Sequence, residues 1–173
     1  MNGSLFTQAF PEWAALIRYR LVAQGDTWLI TDYGETSYQV SRTDGTYTLT
    51  EKQRGAEQFL MSAADGMDIE RYLTVLLGDD IRACAHMPRI TRVSQPSDLC
   101  PDCDTIVTSY NRLTLVDAHG KERGIFCSPI DIADRVIWFS WILDASLEDL
   151  CASYLDPDGL PLFPGCKIGP HAS

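Results

Sequence analysis

The chain has 173 residues, 45% of them apolar and 22% charged, and its 24 acidic against 14 basic side chains give a formal charge of −10. That length and apolar content suit one globular domain with a buried core, and exclude wholesale disorder. The acidic excess argues against a nucleic-acid or anionic-membrane partner, since phosphate backbones are bound by stripes of Lys and Arg.

The opening MNGSLFTQAF has neither a basic region nor a long apolar one, so no signal peptide is expected and the chain reads as cytoplasmic. Its densest apolar run, 136–143, is interrupted by Ser140 and falls short of the ~20 apolar residues that span a bilayer. Without an export signal, cysteines 84, 100, 103, 127, 151 and 166 are expected as reduced thiols.

Pro11 suits a first helical position, and Trp13, Leu16, Ile17 and Leu21 recur on one side before Gly25, which predicts a helix over 11–23. WLITDY, TSYQVSR and YTLTEK then read as strands of an antiparallel meander, with Asp44-Gly45 as a hairpin signal. GAEQFLMSA suits a further strand or a helix. Asp65 caps a second helix whose Ile69, Tyr72, Leu73 and Leu76 follow the 3.6 period, and Gly78 is placed to stop it. Asp79 and Asp80 would then lie just past the negative end of the helix dipole, where carboxylates are mildly unfavourable.

Residues 94–104 read as a long loop, and TIVTSY, RLTLVD and RGIFCS as a second meander. The run 131–143 has no decisive period and suits a buried strand or a buried helix. In SLEDLCASYLDPDGLPLF, Ser146 caps a helix with Glu148 and Asp149 in its first turn. Leu147, Leu150, Cys151 and Tyr154 form its apolar face, and Asp156-Pro157-Asp158-Gly159 form a type I turn. Leu160, Leu162 and Phe163 are expected to return as an extended segment. The fold class is α+β, one domain over 1–165 with a mostly antiparallel sheet, about three helices and a loose tail over 166–173.

Catalytic signatures are missing: there is no Gly-x-Ser-x-Gly, P-loop, GxGxxG or HExxH. Only His86 among the three histidines is expected to be semi-buried. Cys100-Pro101-Asp102-Cys103 has the spacing of a thiol redox pair, but that chemistry needs a helix after the motif, and a strand is predicted. As half of a zinc site it would need Cys84, His86 or Cys127 brought in by folding. A small cytosolic thiol or zinc-binding protein built on Cys100 and Cys103 is therefore the alternative reading; otherwise no catalytic residue, metal or cofactor is assigned. The tryptophans Trp13, Trp28, Trp138 and Trp141 read as core, and any exposed one would be a binding anchor.

Taken together, EKQRGAEQFLMSA, ERYLTVLLGDDIR, VIWFSWILDASLEDLCASYLDPDG and LPLF resemble the immunity proteins of bacterial polymorphic toxins, and among them the family of the tuberculosis necrotizing toxin immunity factor. The resemblance runs from about Thr27 to Phe163 and rests on fold-type residues. It implies a cytosolic, non-catalytic protein that binds a cognate NAD glycohydrolase, one to one, where NAD would enter. It carries over no contact residue, and the CPDC loop and the tail lie outside it. A toxin mouth that accepts a dinucleotide is expected to be positive, which an acidic inhibitor would match. Asp79, Asp80, Asp102 and Asp104 are the expected partner-binding residues, being acidic and unexplained by packing.

Overall fold

A computed structural model describes residues 5–91, 99–109, 111–127, 132–163 and 167–169. In chain order the elements are α1 (Phe10–Ala15), β1 (Arg20–Gln24), β2 (Thr27–Thr31), β3 (Thr36–Thr43), β4 (Thr46–Gln53), β5 (Ala56–Ala63) and α2 (Gly66–Cys84). There follow β6 (Arg89–Thr91), β7 (Cys103–Ser109), β8 (Arg112–Asp117), β9 (Glu122–Cys127), α3 (Ile132–Ser140), α4 (Leu147–Leu155) and β10 (Lys167–Gly169).

Eight strands form one antiparallel sheet in the order β1-β2-β3-β4-β5-β9-β8-β7, and β6 pairs with β10 in a separate ribbon. The two predicted meanders are thus halves of one sheet, joined where Met61 and Ser62 of β5 pair with Phe126 and Ile125 of β9. This central position explains the composition of GAEQFLMSA: its last four residues are buried in succession, so it lacks the alternation of a half-exposed strand. Both residues of the Asp44-Gly45 turn have positive φ, at 51° and 81°, the type I′ geometry that matches strand twist.

Helices cover one face of the sheet. Trp28, Ile30, Tyr38, Val40, Leu49, Met61, Leu115 and Phe126 pack there in one core with Ile69, Tyr72, Leu73, Phe139 and Tyr154. α2 rests on β4 and β5 and carries α4 along its flank, while α3 lies over β8 and β9. The predicted N-caps are made: Asp65 accepts the Met67 N–H at 2.9 Å and Ser146 accepts that of Asp149 at 3.0 Å. The amino-terminal segment is tied down by Glu70, a buried carboxylate that accepts the Thr7 N–H at 3.0 and 3.1 Å. Burial raises the pKa of that carboxyl, while the Thr7 bonds and Arg71 work in the opposite direction.

Several expectations are corrected. The helix over 11–23 shrinks to six residues: Arg18 turns the backbone at φ 67°, and Leu21 and Val22 pair with Ile30 and Leu29 in β1. Sheet pairing outweighs the helical period there. Gly78 does not end α2, which runs to Cys84, so Asp79 and Asp80 lie within the helix. The stretch 131–143 resolves as the nine-residue α3 followed by a turn, with Asp131 outside the described residues. Phe163 returns to α4 through a turn closed by its N–H on Gly159 O at 2.9 Å. His86 is exposed. Of the predicted loop, 94–98 lie outside the described residues, and Cys103 and Asp104 begin β7.

Candidate partner-binding surface

The end of α3 is shaped by one buried hydroxyl. Ser140 Oγ donates to Ile137 O at 2.6 Å and accepts the Cys100 N–H at 3.0 Å, which fastens the CPDC loop to the helix terminus. Beyond it the chain tightens into i→i+3 turns, with the Trp141 N–H on Trp138 O at 3.2 Å and that of Ile142 on Phe139 O at 3.1 Å. Ser140, Ile142 and Leu143 go inward, while Trp141 is left 59% exposed. Trp13 and Trp28 are buried and Trp138 is partly so. Among the four tryptophans, Trp141 is therefore the one that faces solvent.

Two clefts flank this turn. The larger, about 530 Å³, lies toward the CPDC loop and is walled by Asp102, Asp117, Arg123, Leu143 and Asp144. The smaller, about 250 Å³, runs between α2 and α3, with Leu76, Asp79, Arg135 and Trp138 around it.

The electrostatics of the larger cleft are set from below. Asp68, buried in the first turn of α2, accepts Arg123 Nε and one terminal nitrogen at 3.1 Å each, and also Arg71 at 3.0 Å. A carboxylate at a helix N-terminus is well placed, and here it holds the cation that supports the cleft floor. Arg123 also donates to Leu143 O at 3.2 Å and reaches Asp144 at 3.4 Å and Asp117 at 3.8 Å. The bond to Asp68 raises its already high pKa.

The four predicted aspartates do not converge. Asp79 and Asp102 border the two clefts on either side of the α3 end. Asp80 belongs to another face of α2, where it acts with Asp32 on Tyr19: burial, then these carboxylates, push that hydroxyl up to about 12. Asp104 is exposed on the edge strand β7, with its carboxylate on the Thr105 N–H at 2.7 Å. Trp141 and Asp144 escaped sequence reasoning because Trp138 and Trp141, three apart, would share one face of a continuous helix. The helix ends between them.

Cys100 and Cys103 are free thiols in front of a strand. Burial, then Cys100 beside it, pushes the Cys103 thiol up to about 11, opposite to the direction that activates a nucleophilic cysteine. Among the described residues no group of three His, Cys, Asp or Glu side chains is placed to hold a metal ion, and no helix is long and apolar enough to cross a membrane.

Comparison with known proteins places this geometry. Residues 13–162 match the family model described as Immunity protein 61. The chain is 32% identical over 143 residues to the "Immunity factor for TNT" of Mycobacterium tuberculosis (strain ATCC 25618 / H37Rv), across 80% of this chain and 78% of the relative. A homolog of that factor in Mycobacterium bovis (strain BCG / Pasteur 1173P2) gives the same identity and coverage. The solved structure of Rv3902c from M. tuberculosis superposes with a TM-score of 0.80 at 27% identity, over 92% of this chain and 94% of that one. A match that spans the eight-stranded sheet, α2, α3 and α4 and the turn bearing Trp141 makes this chain a member of the Immunity protein 61 family.

Proposed function

We propose that this chain is the antidote to a cognate toxin, which it binds one to one so as to close the entrance through which NAD reaches the toxin's active site. The observation that carries this reading is the family match over residues 13–162, joined to relatives named for immunity to TNT. The resemblance read in the sequence supplies the NAD glycohydrolase. The formal charge of −10 favours encounter with a positive toxin mouth, and Asp79, Asp80, Asp102 and Asp104 are proposed as contacts. The mode of action is occlusion by a protein surface, for which an interface of about 800 Å² per partner is the usual size.

Co-expression with a cognate toxin domain tests the reading. Cells are expected to keep their NAD, and the two proteins to elute from gel filtration as one equimolar complex. NAD loss without a complex rejects it. The thiol or zinc alternative is separated by the double variant Cys100→Ser, Cys103→Ser. With burial pushing the Cys103 thiol up and, among the described residues, no third ligand grouped with the pair, that variant is expected to retain NAD protection in full and the unaltered chain to bring no stoichiometric zinc through purification. Loss of protection on double substitution, or one zinc per chain, would restore the alternative.

A further inference from the structure

We propose that the turn from Trp141 to Asp144 is the centre of the toxin-binding surface, with Trp141 as its apolar anchor and the cleft beside it as the seat of an Arg or Lys side chain of the toxin. This inference rests on the immunity reading above and adds the place and chemistry of contact.

Trp141 is 59% exposed although Ser140, Ile142 and Leu143 around it are each 3% exposed or less. The turn that carries this indole is held by buried neighbours and by the Trp141 backbone N–H on Trp138 O, so little backbone ordering is left for the moment of binding. Tryptophan is among the residues that dominate interface energies, above all where a rim of polar groups surrounds it.

The rim fixes the sign of the partner. In and under the larger cleft three carboxylates, Asp68, Asp117 and Asp144, share two guanidinium groups, Arg71 and Arg123, and a fourth, Asp102, stands in its wall. Arg123 is engaged from below by Asp68 at 3.1 Å, while Asp144 is 93% exposed and Asp102 is also open to solvent. The cleft therefore presents uncompensated negative charge next to an apolar anchor. A toxin surface with one cationic side chain beside a hydrophobic patch is its complement. At about 530 Å³ the space takes a guanidinium or ammonium group with its stem.

The competing surface is Tyr33, which is 71% exposed in the β2–β3 turn beside Asp32 and Glu35, at the opposite side of the sheet from β7. The test measures binding of the purified chain to its cognate toxin domain by calorimetry and surface plasmon resonance. Trp141→Ala is expected to raise Kd about thirty-fold or more. Asp102→Lys combined with Asp144→Lys is expected to slow association about tenfold at low salt and to flatten its salt dependence. Amide exchange in the unaltered complex is expected to slow across 138–144, a readout that needs no variant to fold. A Trp141→Ala chain that binds within threefold of the parent, a larger loss from Tyr33→Ala, or unchanged exchange across 138–144 overturns the assignment while leaving the immunity reading intact. No binding by the parent chain overturns both.

Discussion

Arg82→Met is expected to lower the unfolding free energy by about 3–5 kcal/mol, seen as an earlier urea midpoint, because it strips the donors from a buried set of carbonyls. Arg82 has no exposed surface, and its guanidinium donates to Pro88 O at 2.7 Å, Tyr154 O at 3.1 Å, Asp156 O at 2.6 Å and Pro157 O at 2.9 Å. Two of these oxygens belong to the last turn and C-cap of α4, and Arg82 is itself in the last turn of α2. One cation therefore meets the negative ends of two helix dipoles and fills acceptors that the helices leave open. Methionine keeps most of the volume, so the loss isolates the polar contribution. Lysine, one ammonium on a flexible stem, cannot reproduce a planar fork spread over four carbonyls and is expected to recover less than half of it. The consequence reaches the proposed surface. The carbonyls fix the end of α4, which places Tyr154 against Trp138 and Phe163, and Trp138 precedes the turn that displays Trp141.

What was legible in the sequence is what local chemistry decides. Asp65 and Ser146 cap their helices because a short oxygen-bearing side chain reaches the orphan N–H groups of the first turn whatever the rest of the fold does. Asp44-Gly45 makes its hairpin because both positions tolerate positive φ. The family resemblance carried the function class, since it rests on core-packing residues such as Met61, Leu73, Phe139 and Tyr154 that lie far apart in the chain and share one cluster.

What was not legible depends on partners remote in sequence. Leu21 fits a helical face until β2 is there to pair with it. The unbroken burial over 60–63 follows from a neighbour, β9, more than sixty residues away. The candidate surface was half legible for the same reason. Asp102 and Asp79 were named for being acidic and unexplained by packing, while Trp141 and Asp144 are functional candidates only because Ser140 ends α3 and accepts the Cys100 N–H, turning one tryptophan outward. An exposed tryptophan was recognisable as an anchor, but which of four it would be was a tertiary fact.

Gly78 shows the same lesson as energy. A glycine after an apolar helical run reads as a stop, yet α2 continues for six residues beyond it, and the reason for glycine is the close passage of α4. A β-carbon at position 78 would lie 2.6 Å from Tyr154 Cε1, well inside van der Waals contact. Two terms compete in Gly78→Ala. Alanine gains about 1 kcal/mol of helix propensity, and overpacking loses about 1–3 kcal/mol where the neighbour cannot retreat. Tyr154 cannot: its ring meets Phe163 at 5.5 Å, Trp13 at 6.4 Å and Trp138 at 6.5 Å between centroids, and it has no exposed surface. The clash term is therefore expected to win for alanine, with net destabilisation of about 1–2 kcal/mol, and Gly78→Val to lose more than twice that as the added methyl groups meet the same ring. Trimming the ring separates this packing account from a purely helical one. In the double variant Gly78→Ala, Tyr154→Leu the alanine is expected to be neutral or favourable relative to Tyr154→Leu alone, with a coupling of at least about 1 kcal/mol. If Gly78→Ala stabilises the parent chain, α4 has room to move away from α2, and the rigid seat inferred for Trp138 and the turn beyond it is lost with it.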